Sequence, residues 1–163
     1  MALDSLRELY VEQLRDLYSA ETQILEALPA MAEKASNREL KAGFTEHERL
    51  TREHVKRLDA IFDGMGEKPA GHHCRGMEGL LKEGKEMVKD RGDPDAVDAG
   101  LIAAAQRVEH YEIAGYGCVR TYARHLGLED HARTLQTTLD EEGETDHRLT
   151  HLAETIVNPR AMS

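Results

Sequence analysis

Residues 103–117 read AAAQRVEHYEIAGYG, and the helical period of this stretch decides the fold. At about 100° per residue, Ala105 and Tyr116 share one apolar stripe with Ile102, Val119 and Ala123 on either side. Glu109 and Glu112 fall on the same stripe. An amphipathic helix turns that stripe towards a core, where each unpaired ion costs several kcal/mol. Something positive must therefore face these two carboxylates.

Working outward, Asp93-Pro94 reads as an N-cap followed by proline at the first helical position, and Gly127 as a left-handed terminator. A further helix follows almost at once, with Leu128, Leu135, Leu139, Leu149, Ala153 and Ile156 on its stripe before Asn158-Pro159 stops it. Upstream, a periodic segment from about Leu3 to Ala35 carries Leu3, Leu6, Tyr10, Leu14, Leu17, Ile24, Leu28 and Met31. Pro29 inside it is expected to bend or weaken the last turns.

Ser36-Asn37-Arg38-Glu39 reads as a capping box that opens the next helix, with Leu40, Phe44, Leu50, Leu58 and Ile61 before Gly64, Gly66 and Pro69. A loop of a residue or two between these helices makes an antiparallel hairpin. Residues 69–76 are irregular, and GMEGLLKEGKEMVKD then predicts one shorter helix ending near Gly92. The layout is an all-α four-helix bundle: two antiparallel hairpins joined by one long crossover carrying a short extra helix. There is no strand-period segment of useful length.

Composition agrees. A chain of 163 residues suits one domain, and it has no tryptophan and only four prolines. A net charge of −10 argues against nucleic acid, which needs clustered Lys and Arg. The two cysteines, Cys74 and Cys118, have no zinc-site spacing and point to a reducing compartment. The start, MALDSLRELYVEQLRD, is charged and amphipathic rather than a signal peptide. No window approaches the roughly 18–20 apolar residues of a membrane span. A cytoplasmic protein is expected.

Each long helix places polar residues in its apolar seam: Glu21 in the first, His47, Thr51 and His54 in the second, Glu109 and Glu112 in the third, Glu142 and Asp146 in the fourth. All lie near mid-helix, so antiparallel pairing brings them to one level. Carboxylate with imidazole suits iron or manganese, with zinc as a substitute. The plainer alternative is a buried hydrogen-bond network with some Glu protonated, and a seam histidine such as His47 or His54 is often a satisfied core residue. Tyr116, one turn beyond Glu112, reads as a packed core tyrosine able to hydrogen-bond a ligand.

Glu144-Thr145-Asp146-His147 matches Glu-x-x-His by letters, but Glu144 lies roughly 200° around the helix from Glu142 and faces outward. His147 and His151 read as a solvated face, and His72, His73 and Cys74 as a histidine-bearing loop.

Bundles with Glu from two helices and Glu-x-x-His from the other two form the ferritin-like di-metal group, and the chain resembles that superfamily over nearly its whole length. Through LYSAETQIL (17–25), AAAQRVEHYEIAGYG and LDEEGETDHRLT (139–150) it more closely resembles the YciE/YciF family of ferritin-like bacterial proteins. The resemblance implies ligand positions at Glu21, Glu109, Glu112 and Glu142, a homodimer and a link to stress. Neither Glu-x-x-His is in seam phase, so the ligand set departs from the full two-iron pattern.

The leading expectation is a pair of iron or manganese ions per chain reacting with O2 or peroxide. Glu109 and Glu112 would bracket the pair, with Glu21 and Glu142 as terminal or bridging ligands. The alternative is a non-catalytic dimeric stress or scaffold protein with a vestigial or structural metal. Iron storage in a large shell ranks last, because no extra C-terminal helix of the large-ferritin kind is present.

Overall fold

A computed structural model describes residues 4–162. Ser5 Oγ accepts the Glu8 N–H at 3.2 Å and opens α1, Leu6–Lys34. The helix runs through Pro29. Its buried stripe starts only at Tyr10, and Leu6, assigned to that stripe, is exposed. Leu3 lies outside the described residues.

Three residues, 35–37, lead into α2, Arg38–Met65, a loop longer than the residue or two expected. Its cap is Asn37 rather than Ser36: Asn37 Oδ1 accepts from Glu39 N at 2.8 Å and Leu40 N at 3.1 Å. The cause is tertiary. Buried Asp98 takes the Ser36 and Asn37 N–H groups at 2.9 and 2.7 Å, holding both residues outside the helix. Gly66, at φ +67°, ends α2 in the left-handed conformation that glycine adopts without steric cost.

The crossover carries α3, Arg75–Lys89, which packs on α1 and on α4, Pro94–His125. Asp93 caps α4 by accepting from Ala96 N at 2.9 Å, with Pro94 in its first turn as expected. Gly127, at φ +72°, turns the chain into α5, Glu129–Leu152. The expected stop at Asn158-Pro159 does not occur. A π-helical turn, Ala153–Val157, leads into a short α6, Asn158–Ala161. Pro159 lies in the first turn of α6, directly after the π-helical turn.

α1 pairs with α2 and α4 with α5, and α1–α4 and α2–α5 contacts close the four long helices into a bundle. The described residues contain no strand, and none of their helices is long and apolar enough to cross a membrane. The apolar core is divided. One cluster includes Tyr10, Leu14, Leu17, Leu58, Phe62 and Val119. The other includes Ile24, Leu28, Leu40, Phe44, Ile102 and Leu149. Each such side chain stabilises the fold by roughly 1.5–3 kcal/mol. Along every long helix the polar seam residues fall between the two clusters.

Candidate metal centre

Glu21, Glu109, Glu112 and Glu142 are fully buried, and His54 and His47 are only 1 % and 3 % exposed. One residue or pair per long helix converges because each is flanked by apolar side chains that must face the core: Leu17 and Ile24 around Glu21, Phe44 and Leu58 around the histidines, Ala105 and Tyr116 around Glu109 and Glu112, Leu135 and Leu149 around Glu142. Two groups of donor atoms result, one of His47, Glu109, Glu112 and Glu142 and the other of Glu21, His54 and Glu142, each within 4.8 Å of one another. Glu142 belongs to both. Glu109 and Glu112 stand together in one group.

The contacts inside the layer are short but poorly aligned. His47 Nδ1 lies 3.1 Å from Glu109 Oε1, and His54 Nδ1 lies 2.9 Å from Glu142 Oε1 and 3.3 Å from Glu21 Oε1. Both oxygens of Glu109, Glu112 and Glu142, Glu21 Oε2, His47 Nε2 and His54 Nδ1 have no hydrogen-bond partner. Leaving buried polar atoms unpaired costs about 1–3 kcal/mol apiece. These atoms crowd a common space without bonding one another, which is the arrangement a cation satisfies.

Burial, reinforced by neighbouring carboxylates, holds Glu109 and Glu112 well above the usual carboxylate range. Burial also raises Glu142, but the adjoining His54 outweighs it and holds that carboxyl below its ordinary value. For His54, burial alone would favour the neutral ring; Glu142 and Glu21 overcome it and push the imidazole up to about 10. For His47 burial prevails and the value falls. Burial drives the Tyr116 phenol far up, so it stays protonated and donates to Glu21 Oε1 at 2.5 Å. Thr51 serves the backbone, donating to the His47 carbonyl at 2.9 Å.

Asp146 departs from its expected place. It is partly exposed at the rim, where Gln106 Nε2 and His110 Nε2 reach its oxygens at 3.1 Å each. His147 and His151 face solvent, as expected. His72 pairs with Asp16, while Cys74 is buried with its Sγ 2.9 Å from Tyr111 Oη, so this stretch anchors the crossover.

Sequence reasoning missed Glu141 and Arg57. Glu141 Oε2 lies 2.8 Å from His54 Nε2, and Arg57 grips the same carboxylate through two nitrogens at 2.6 and 3.0 Å. Arg57 keeps Glu141 ionised, so His54 Nε2 donates to it. That fixes the ring with Nδ1 towards Glu21 and Glu142, the orientation a histidine ligand needs. The only sequence signal is that Glu141 precedes a seam residue.

The fold and layer together define a helical-bundle protein with buried carboxylate–imidazole groups able to bind metal. The chain belongs to the family described as a domain of unknown function, DUF892, whose model matches residues 5–162. It is 39 % identical over 162 residues to Protein YciF of Escherichia coli (strain K12), covering 99 % of this chain and 98 % of that one. The crystal structure of the E. coli stress protein YciF matches with a TM-score of 0.92 over 96 % of this chain and 99 % of that chain. YcfI from Rhodopseudomonas palustris, 41 % identical, matches at 0.87 over 92 % and 97 % of the two chains. A Xanthomonas campestris protein, 21 % identical, shares the fold at 0.77 over 97 % of each chain. The family resemblance carried by the three sequence motifs is thereby shown.

Proposed function

We propose that this chain is a ferritin-like, carboxylate-bridged metal protein that binds two iron or manganese ions. One would be held by His47, Glu109, Glu112 and Glu142, the other by Glu21, His54 and Glu142. The observation that carries this reading is the set of unpartnered, buried donor atoms in two groups sharing Glu142. An oxygen-rich set with imidazole suits iron and manganese, with zinc as a substitute.

Such a pair, when bound, supplies electrons to O2 or peroxide. The chain's own contribution is separate from that chemistry. Glu109 and Glu112 release protons when a cation arrives, so affinity rises with pH. Tyr116 holds Glu21, Glu141 holds His54, and the two apolar clusters keep bulk water from the layer.

Metal content per chain, measured by plasma mass spectrometry on untagged protein, tests this. Close to two equivalents of iron or manganese is the expected result. Protein that resists loading with either metal would overturn the reading and leave a protonated structural network.

The four protein donors of the first group support a second reading, a non-catalytic protein with a structural metal, because structural sites take all their ligands from the protein. Loaded protein that consumes peroxide or oxidises ferrous iron decides for the redox role. YciF is described as a stress protein; a stress-linked, cytoplasmic homodimer is the setting proposed here. Sedimentation of the native protein checks the dimer, and a shell-sized particle would contradict it.

A further inference from the structure

The layer is buried, yet one face of the bundle leads to it. Between α2 and α5, the most sparsely packed seam of the four long helices, lies a groove of about 370 Å³. Glu46, Asp140, Glu141 and Glu144 line its mouth. Beside it a chamber of about 50 Å³ has buried Phe44 and Leu149 in its lining. Glu46, Leu50, Thr145 and Arg148 border both spaces, which therefore adjoin. The chamber exceeds the roughly 10–15 Å³ that one water requires. His47, 3 % exposed, forms part of its lining, and the buried His47 Nε2, 3.8 Å from Glu142 Oε2, has no hydrogen-bond partner.

We propose that the α2–α5 groove is the route by which a divalent cation enters and leaves the buried layer, with His47 as the first ligand it meets. This rests on the metal-binding reading above. The charge of the mouth favours a cation: four carboxylates and Arg148 line it. Arg148 pairs with Glu144, and Arg49 and Arg57 pair with Glu46 and Glu141. The Arg49–Glu46 and Arg148–Glu144 pairs are exposed, are worth about 0–1 kcal/mol and exchange readily with a passing ion, whereas Arg57–Glu141 is half-buried and stays in place. The other cavity reaching His47 holds only about 10 Å³ and is lined mainly by apolar side chains such as Ile24, Leu28 and Val108.

The test uses Co²⁺, whose visible absorption reports binding without turnover. Chelator-stripped protein is mixed with Co²⁺ by stopped flow, and release is followed in excess chelator. Thr145→Phe and, separately, Leu50→Phe fill the boundary that the two spaces share and remove no metal-donor atom. Ala30→Phe fills the surface groove between α1 and α3 and serves as control.

The expected result is uptake and release slowed by the same factor, tenfold or more, in the two narrowed variants. The Co²⁺ titration midpoint should stay unchanged, and Ala30→Phe should behave as wild type. A route shared by entry and exit requires this equality, which damage to the site would not produce. Wild-type rates in the folded narrowed variants would overturn the proposal, as would weaker binding with unslowed release or equal slowing in the control. Wild-type protein that takes up no Co²⁺ would instead overturn the metal-binding reading itself, a separate outcome.

Discussion

Glu142 is the residue on which both donor groups depend, so single substitutions should divide by group. Glu142→Ala is expected to lower metal content to nearly zero, whereas Glu21→Ala should leave close to one ion per chain; plasma mass spectrometry on the two variants reads the difference. Equal losses from both would mean that the groups do not fill independently. Glu141→Gln keeps the shape of the contact to His54 Nε2 but removes the charge that Arg57 holds in place. Losing an outer carboxylate typically costs 10–100-fold in metal affinity. Competition titration should show that weakening at one site of two, and unchanged affinity at both would remove Glu141 from the role.

Among the elements, the junction of α1 and α2 depends on a residue of α4. Asp98 is fully buried and accepts the N–H groups of Ser36 and Asn37. Asp98→Ala strands both donors and should cost about 3 kcal/mol in urea unfolding. Asn37→Ala removes only the side-chain cap and should cost about 1 kcal/mol. A smaller effect for Asp98→Ala than for Asn37→Ala would contradict this ranking. The crossover is pinned at its other end, where α3 meets α4 at Gly76. A Cβ there would stand 2.8 Å from the Tyr111 ring, which also contacts Cys74 and Asp16. Gly76→Ala should therefore destabilise by about 1–3 kcal/mol through overpacking.

For the whole molecule, a polar layer that divides the core couples stability to pH and to metal. The raised His54 means that the native state keeps a proton which an ordinary imidazole, near 6.5, gives up on unfolding. Its contribution is complete below pH 6.5 and is lost as pH rises towards about 10. Glu109 and Glu112 act with the same sign, because their native forms hold protons above the ordinary carboxylate value of 4.5. Glu142, held below 4.5, acts oppositely, but only as pH falls through the acid range. His47, held below 6.5, favours the native state as pH rises to that value and adds nothing beyond it.

Chelated protein should therefore lose stability between about pH 7 and 9 in denaturant titrations. Metal-loaded protein should show little of this loss, gaining about 2.7 kcal/mol with free metal at 100 times its Kd. A flat pH profile for the chelated protein would contradict the arrangement of charges in the layer.

Much of this molecule is legible in one dimension because helical periodicity is local. Asp93-Pro94, Gly66, Gly127 and the apolar stripes mark four long helices and their order. The same phase rule selects Glu21, His47, His54, Glu109, Glu112 and Glu142, since a charge in an apolar seam stands out against its neighbours. Phase also rejects Glu144, which the letters of a motif would have accepted.

Contacts between helices decided the rest. The cap at Asn37 depends on Asp98, 61 residues away. Asp146 has nearly the right phase, yet Gln106 and His110 hold it at the rim. Glu141 has the wrong phase, yet it reaches His54 because α2 and α5 meet there. A single sequence reports the direction in which a side chain leaves its own helix, and this determined the bundle and the buried layer. Which atoms meet across a seam, and where that seam stays open to solvent, depends on how neighbouring helices pack, and only the tertiary structure decided it.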